Sequence, residues 1–237
     1  MTPVRPTPAS VGAVFVDVFG TLLSLAPLAD ACEAVVADRG PEVAARWRAR
    51  QVEATWLRTA MGTWTDFEKV TAQALGVALE DVVGSEAAVG VRVSDRRRLA
   101  GAFELLPVAD GAREALASLR AAGVVTGVLS NGSSGQLQRI VARYDLGELL
   151  HHVLSVDAVR VYKPDPRVYA LAIQATGMPV ERIGFVTANG WDAAGAGAFG
   201  FRVAWLRDEG SSPMPSVGAP RPIETDWRGV PAVFLGG

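Results

Sequence analysis

Apolar positions in this chain change their spacing twice along its length. Val14-Phe15-Val16 leads without interruption into Asp17, and Val18-Phe19-Gly20-Thr21-Leu22 follows. An unbroken apolar run of this length reads as a strand buried on both faces, as in a parallel sheet, ending in a Gly-Thr turn. From about Leu25 to Leu106 no strand-like run occurs. Ala, Arg, Glu, Leu and Trp dominate there, with turn breaks at Gly40-Pro41, Gly62, Gly76, Gly84 and Gly90. Trp47, Arg48, Gln51, Val52, Thr55, Trp56 and Arg58 to Met61 place large residues at helical spacing. This stretch predicts an insertion of several helices.

At Pro107 the pattern turns to alternation. Asp110 to Ala122 reads as a helix closed by Gly123, and Val124 to Ser130 as a second buried strand. Helices are expected from the Asn131-Gly132-Ser133-Ser134 turn to about Tyr144, from Pro166 to Thr176 and from Trp191 to Phe199. Strands are expected at His151 to Ser155, Ile183 to Thr187 and Phe201 to Leu206, with a short edge strand at Ala232 to Leu235. Residues 1 to 12 read as a loose tail, and the Gly/Ser/Pro-rich stretch from 209 to 222 as a surface loop. Strand-helix alternation at this spacing means parallel βαβ units with helices on both faces. The expected class is therefore α/β: a Rossmann-like open parallel sheet formed by residues 1–24 and 107–237, with a helical cap subdomain, residues 25–106, inserted after the first strand.

Composition narrows the setting. Hydrophobic residues make up 49% of the 237 positions and charged residues 20%, as in a globular chain rather than a disordered one. A net charge of -2 gives no bulk attraction to nucleic acid or to acidic membranes. The single cysteine, Cys32, excludes an internal disulfide framework, and no apolar run is long enough to span a bilayer. Proline and arginine at Pro3, Arg5, Pro6 and Pro8 stand where a signal core would need apolar residues, so a cytoplasmic location is expected.

The candidate chemistry lies at the carboxyl ends of the expected strands: Asp17, Ser130-Asn131, Lys163 in a following loop, and Thr187 to Asp192. In an open α/β sheet such ends converge on one crevice. A lone carboxylate there is costly unless it is used, which makes Asp17 the candidate nucleophile; otherwise it caps a strand end. Lys163, one of two lysines in the chain, would supply the opposite charge, or else stand in solvent before Pro164. Ser130 either binds an anionic group or caps the next helix. His151 and His152 lack a helical metal spacing and read as structural.

Asp17 to Leu22, Leu129-Ser130-Asn131-Gly132, Val161 to Asp165 and Phe185 to Ala193 resemble the four motifs of the haloacid dehalogenase superfamily. The resemblance covers nearly everything from Val14 to about Arg207. Most of the superfamily are magnesium-dependent phosphatases, with an aspartate two places after the nucleophile to protonate the leaving alkoxide. Here that position is Phe19, and a departing halide needs no proton. The last motif, Thr187-Ala188-Asn189-Gly190-Trp191-Asp192, offers one carboxylate where a hard cation wants more oxygen charge. The stretch from Arg46 to Arg58, continuing to Phe67, resembles the cap of the L-2-haloacid dehalogenases.

That resemblance implies metal-free hydrolysis of a short L-2-haloacid to the D-2-hydroxyacid through an ester on Asp17, with no organic cofactor. It implies that Ser130 and the amides of Val18 and Phe19 bind the substrate carboxylate, and that Arg48 and Asn131 cradle the halide. Phe19, Phe67 and Trp191 would wall the pocket, with Val52 setting its size. Thr21, Tyr169, Thr187, Asn189 and Asp192 would hold the second oxygen of Asp17 and position the hydrolytic water. The substrate partner is then a small halogenated carboxylic acid, and a homodimer is expected from the resemblance alone. Three other readings stay open: a phosphatase of the same fold, a catalytically silent member that binds a small carboxylate, and hydrolysis of a strained ring acid by the same ester chemistry.

Overall fold

The computed structural model describes residues 11–207 and 222–236. The expected tail through residue 10 and the expected loop from 209 to 221 lie outside the described residues. In chain order the elements are β1 (Ala13–Val16), α1 (Pro27–Glu33), α2 (Gly40–Met61), α3 (Phe67–Val83), α4 (Ser85–Gly90), α5 (Val93–Gly101), α6 (Ala112–Ala121), β2 (Val125–Ser130), α7 (Ser134–Arg143), β3 (His152–Ser155), α8 (Pro166–Thr176), β4 (Ile183–Thr187), α9 (Gly190–Phe199), β5 (Arg202–Leu206), β6 (Ile223–Thr225) and α10 (Val230–Leu235).

The strands form one parallel sheet in the order β3-β2-β1-β4-β5-β6. β1 is fully buried and central, with Phe15 opposite Gly127 of β2 on one side and Phe185 of β4 on the other. The chain builds outward from β1 through β2 to β3, then crosses back to β4 and builds outward on the other side. The crevice of an open sheet lies where the order reverses, beyond the carboxyl ends of β1 and β4. Close packing shapes the sheet's sequence. A Cβ on Gly127 would lie 2.7 Å from the Phe15 ring, and one on Gly184 would lie 2.5 Å from the ring of Phe234 in α10.

Five helices, α1 to α5, fall between β1 and α6. The buried side of α2 is drawn by Val43, Trp47, Gln51 and Thr55, every fourth residue, and Trp47 Nε1 donates to Thr71 O of α3 at 2.8 Å. Gly62, at φ 67°, closes α2 in the left-handed conformation. The two crossings into this helical stretch are tied together. Leu23 bridges Val108 antiparallel, Ser24 N–H donates to Pro107 O at 2.9 Å, and Ala109 N–H donates to Leu22 O at 2.8 Å. On the far side Glu68 of α3 accepts from Ser133 Oγ, the N-cap of α7, at 2.7 Å.

Two expectations fail. Ala232 to Leu235 belongs to the helix α10, not to an edge strand: Pro231 at its start fixes a helical φ, and Phe234 plugs the space over Gly184. The edge strand is β6, whose Ile-Glu-Thr sequence carries no apolar run. Gly76 breaks nothing, since it sits inside α3, where a glycine costs stability without ending a helix. No helix among the described residues is long and apolar enough to cross a membrane.

Candidate active site

Asp17 follows the last residue of β1, and its N–H still donates to Val186 O at 2.9 Å, so the sheet ladder fixes its backbone. Gly20, at φ 83°, then turns the chain so that Leu22 N–H reaches back to Asp17 O at 3.2 Å. The carboxylate is 5% exposed and both of its oxygens are held. Oδ2 accepts from Thr21 Oγ1 at 3.0 Å and Asn189 Nδ2 at 2.8 Å. Oδ1 accepts from Lys163 Nζ at 3.0 Å.

Lys163 is fully buried and shared. Its Nζ also donates to Asp192 Oδ2 at 2.9 Å and lies 4.7 Å from the centroid of the Phe185 ring. Asp192 Oδ1 in turn accepts from Tyr169 OH at 2.7 Å. Burial disfavours the ammonium, yet Asp17 and Asp192 outweigh it and hold the Lys163 pKa above its usual value. Burial pushes the Asp192 carboxyl up to about 6; Lys163 pulls it down and Asp17 pushes it further up. Burial also raises the Tyr169 phenol well above its usual value, and the adjacent Asp192 adds to this. The Lys163 ammonium thus lies between two carboxylates, and every member of the triad is hydrogen-bonded.

A second set of groups faces β2. No oxygen among the described residues accepts from the N–H groups of Val18 and Phe19. Buried Ser130 Oγ accepts from Gly132 N–H at 3.1 Å, so its hydroxyl proton is free to point elsewhere. Asn131 Oδ1 accepts from Lys163 N–H at 3.0 Å, which leaves Asn131 Nδ2 as a donor. These are the donors a planar carboxylate and a halide need.

Arg48 reaches this site from α2. Its Nη2 donates to Phe19 O at 3.2 Å and to Asn189 Oδ1 at 3.3 Å, and its Nη1 to Gln51 Oε1 at 2.7 Å. Burial lowers its pKa, against the raising effect of Asp17 and Asp192. Phe67 stacks on Phe19 with centroids 5.3 Å apart, and Phe103 meets Phe19 edge-on at 5.7 Å. A Cβ on Gly132 would come within 2.9 Å of the Phe19 ring, so the glycine is needed there.

The structure brings Asp17, Thr21, Arg48, Asn131, Lys163, Tyr169, Asn189 and Asp192 into one hydrogen-bonded network. It assigns some of them differently from the sequence. Thr21 and Asn189 hold Asp17, whereas Tyr169 and Asp192 touch Lys163 or each other. Thr187 Oγ1 accepts from Asn189 N–H at 3.1 Å and so shapes the loop without reaching Asp17. Trp191 is half-buried against Trp56, with centroids 5.8 Å apart, and Val52 lies one turn beyond Arg48 on α2. His151 Nδ1 accepts from Thr126 N–H at 3.0 Å, a structural contact. Sequence reasoning missed Thr71 and the role of Gln51. Gln51 had a signal: it is a long polar side chain on the buried stripe begun by Val43 and Trp47.

The donor set does not suit a divalent cation. The place between the two carboxylates is taken by an ammonium, and no group of three or more His, Cys, Asp or Glu among the described residues is placed to hold a metal ion. Nor does Phe19 supply the proton an alkoxide would need.

A parallel sheet with a nucleophile-bearing central strand end, a lysine from a later loop and a long helical insertion after the first strand defines a class of hydrolase. Residues 11–200 match the haloacid dehalogenase-like hydrolase family. Within it the chain is 39% identical to an (S)-2-haloacid dehalogenase of Pseudomonas fluorescens over 82% of this chain and 83% of that protein. It is 38% identical to an (S)-2-haloacid dehalogenase of Pseudomonas putida over the same shares. The L-2-haloacid dehalogenase of Xanthobacter autotrophicus, solved also with chloropropionic acid covalently bound, superposes with a TM-score of 0.83 at 31% identity over 95% of this chain and 99% of its own. The chain belongs to the haloacid dehalogenase-like hydrolases, in the branch of the (S)-2-haloacid dehalogenases.

Proposed function

We propose that this protein hydrolyses short L-2-haloacids to D-2-hydroxyacids and halide through an ester on Asp17. The observation that carries the reading is the Asp17 carboxylate itself. Oδ2 is tied down by Thr21 and Asn189, while Oδ1 has only the Lys163 ammonium. Oδ1 attacks C2 opposite the halogen; the C–O bond forms as the carbon–halogen bond breaks, its electron pair leaves with the halide, and C2 inverts. The Val18 and Phe19 amides with Ser130 hold the substrate carboxylate, and Arg48 and Asn131 meet the charge that grows on the halide. Water then adds to the Asp17 ester carbonyl, not to C2. Asp192, with its pKa near 6, takes a proton from that water; the Cγ–O bond to the substrate then breaks, the departing 2-hydroxyacid oxygen receives the proton back from Asp192, and Asp17 is regenerated carrying one solvent oxygen.

The helices of residues 25–106 serve as a cap over a core of residues 1–24 and 107–237, as the delivery of Arg48 and Phe67 to the strand ends supports. A homodimer is supported by apolar side chains exposed on α2 (Trp56, Leu57 and Met61). A cytoplasmic setting is supported by the lone, buried Cys32.

Chloride release from L- and D-2-chloropropionate in the presence of EDTA tests the reaction. The wild type should act on the L enantiomer alone and yield D-lactate. Asp17→Asn should lose on the order of 10⁴-fold in rate. In a single turnover in H₂¹⁸O the label should enter Asp17; label found only in the product would refute the ester.

A further inference from the structure

We infer that Gln51 and Thr71 form a buried relay that aims the Arg48 guanidinium at the departing halide, which makes Gln51 a positioning residue for carbon–halogen cleavage. The proposal rests on the reading of Arg48 as part of the halide cradle.

Every hydrogen-bond direction in the relay is forced by its first member. A guanidinium can only donate, so Arg48 Nη1, 2.7 Å from Gln51 Oε1, fixes which end of the amide faces it. Gln51 Nε2 must then point the other way, and it donates to Thr71 Oγ1 at 2.6 Å. The Thr71 hydroxyl, having accepted, spends its own proton on Phe67 O at 2.7 Å. Gln51 is 0% exposed and Thr71 1%, so neither has water as an alternative partner. The relay thus runs from the arginine that faces the site to the first residue of α3, whose ring stacks on Phe19.

A buried amide on the apolar face of α2 carries a desolvation cost that a leucine there would avoid. What it provides is direction. Among the described residues Arg48 hydrogen-bonds the sheet side through two longer contacts, at 3.2 and 3.3 Å, both through Nη2. The short bond from Nη1 sets the plane of the guanidinium before any substrate arrives. Preorganised charge costs no reorientation when the halide leaves, and this is where such donors act most strongly.

The test compares Gln51→Leu and Thr71→Val with wild type and Arg48→Lys on L-2-chloro- and L-2-bromopropionate. It measures ester formation and ester hydrolysis separately in single turnovers, together with the melting temperature. Chloride, the poorer leaving group, depends more on the cradle. Gln51→Leu should slow ester formation from the chloro acid about tenfold or more, the cost of losing one hydrogen bond to a charged group. The loss with the bromo acid should be smaller and ester hydrolysis unchanged, so that the bromide-to-chloride rate ratio rises. Thr71→Val, which keeps side-chain volume and packing, should move the ratio in the same direction by less. Equal losses on both halides accompanied by a fall in melting temperature would show a packing role only and overturn the relay. So would an unmoved ratio in both variants while Arg48→Lys raises it. An unmoved ratio in Arg48→Lys overturns the halide reading itself, and the relay with it.

Discussion

The two sides of the site are held in different ways. On the sheet side Asp17, Lys163 and Asp192 are locked by contacts of 2.7 to 3.0 Å among groups from the ends of β1 and β4, the loop before α8, and α8 and α9. On the helical side Arg48 meets the sheet through 3.2 and 3.3 Å contacts, and its one short bond is to its own helix. The Asp17 charge is therefore part of the folded core, whereas Arg48 is delivered from the helices and oriented there. Substitutions on the sheet side should cost stability and activity together; those on the helical side should cost activity with little change in stability.

The largest test of that division is Lys163→Met. Removing the cation leaves two carboxylates buried against each other, a loss of about 3–5 kcal/mol for breaking a buried pair. The melting temperature should fall by on the order of 10 °C for a chain of this size, with halide release abolished. A variant that melts like the wild type would break the comparison. Arg48→Lys should do the reverse, losing ~10²-fold in rate with the melting temperature nearly unchanged.

The smallest effect is in pH. The folded-state pKa of Asp192 is raised from 3.8 to about 6, so the folded protein holds this proton more tightly than the unfolded chain. The contribution of Asp192 to stability is therefore full below about 4 and declines as pH rises to about 6. Activity runs the other way, because the ionised form is the base. Turnover should fall below about pH 6, towards tenfold per unit. The stability difference between wild type and Asp192→Asn should change across the same window, and a turnover flat down to pH 5 would remove Asp192 from the base role.

The fold was legible wherever pattern and function coincide. β1, β2 and β4 are apolar runs because they are buried on both faces, and each ends in the polar residues that the crevice needs. β6 was illegible because an edge strand of three residues with Glu224 at its centre carries no hydrophobic period. α10 was misread because its apolar residues are too few to show a helical repeat, leaving Pro231 as the deciding signal. In the site, strand position exposed Asp17, Ser130, Lys163 and Asn189. Arg48 came only from resemblance, since Arg46, Arg50 and Arg58 are spaced alike. The structure separates them: Arg50 pairs with Asp81 and Glu53, Arg46 lies near Asp81, and Arg58 bonds Gln73. Thr71 gave no signal because a helical threonine bonded to its own backbone is commonplace.

The laced stem at Leu23 and Val108 has a mechanical consequence. Two antiparallel tethers sewn together behave as a hinge pin: they resist sliding and twisting, and they leave a single soft axis. Swinging the helices about that pin would part the contacts further out: Arg48 with Phe19 and Asn189, Glu68 with Ser133, Thr59 and Thr65 with Tyr162, and Glu104 with Arg139. None of those contacts involves the bonds among Asp17, Lys163 and Asp192, so such a swing would leave Lys163 between its two anions.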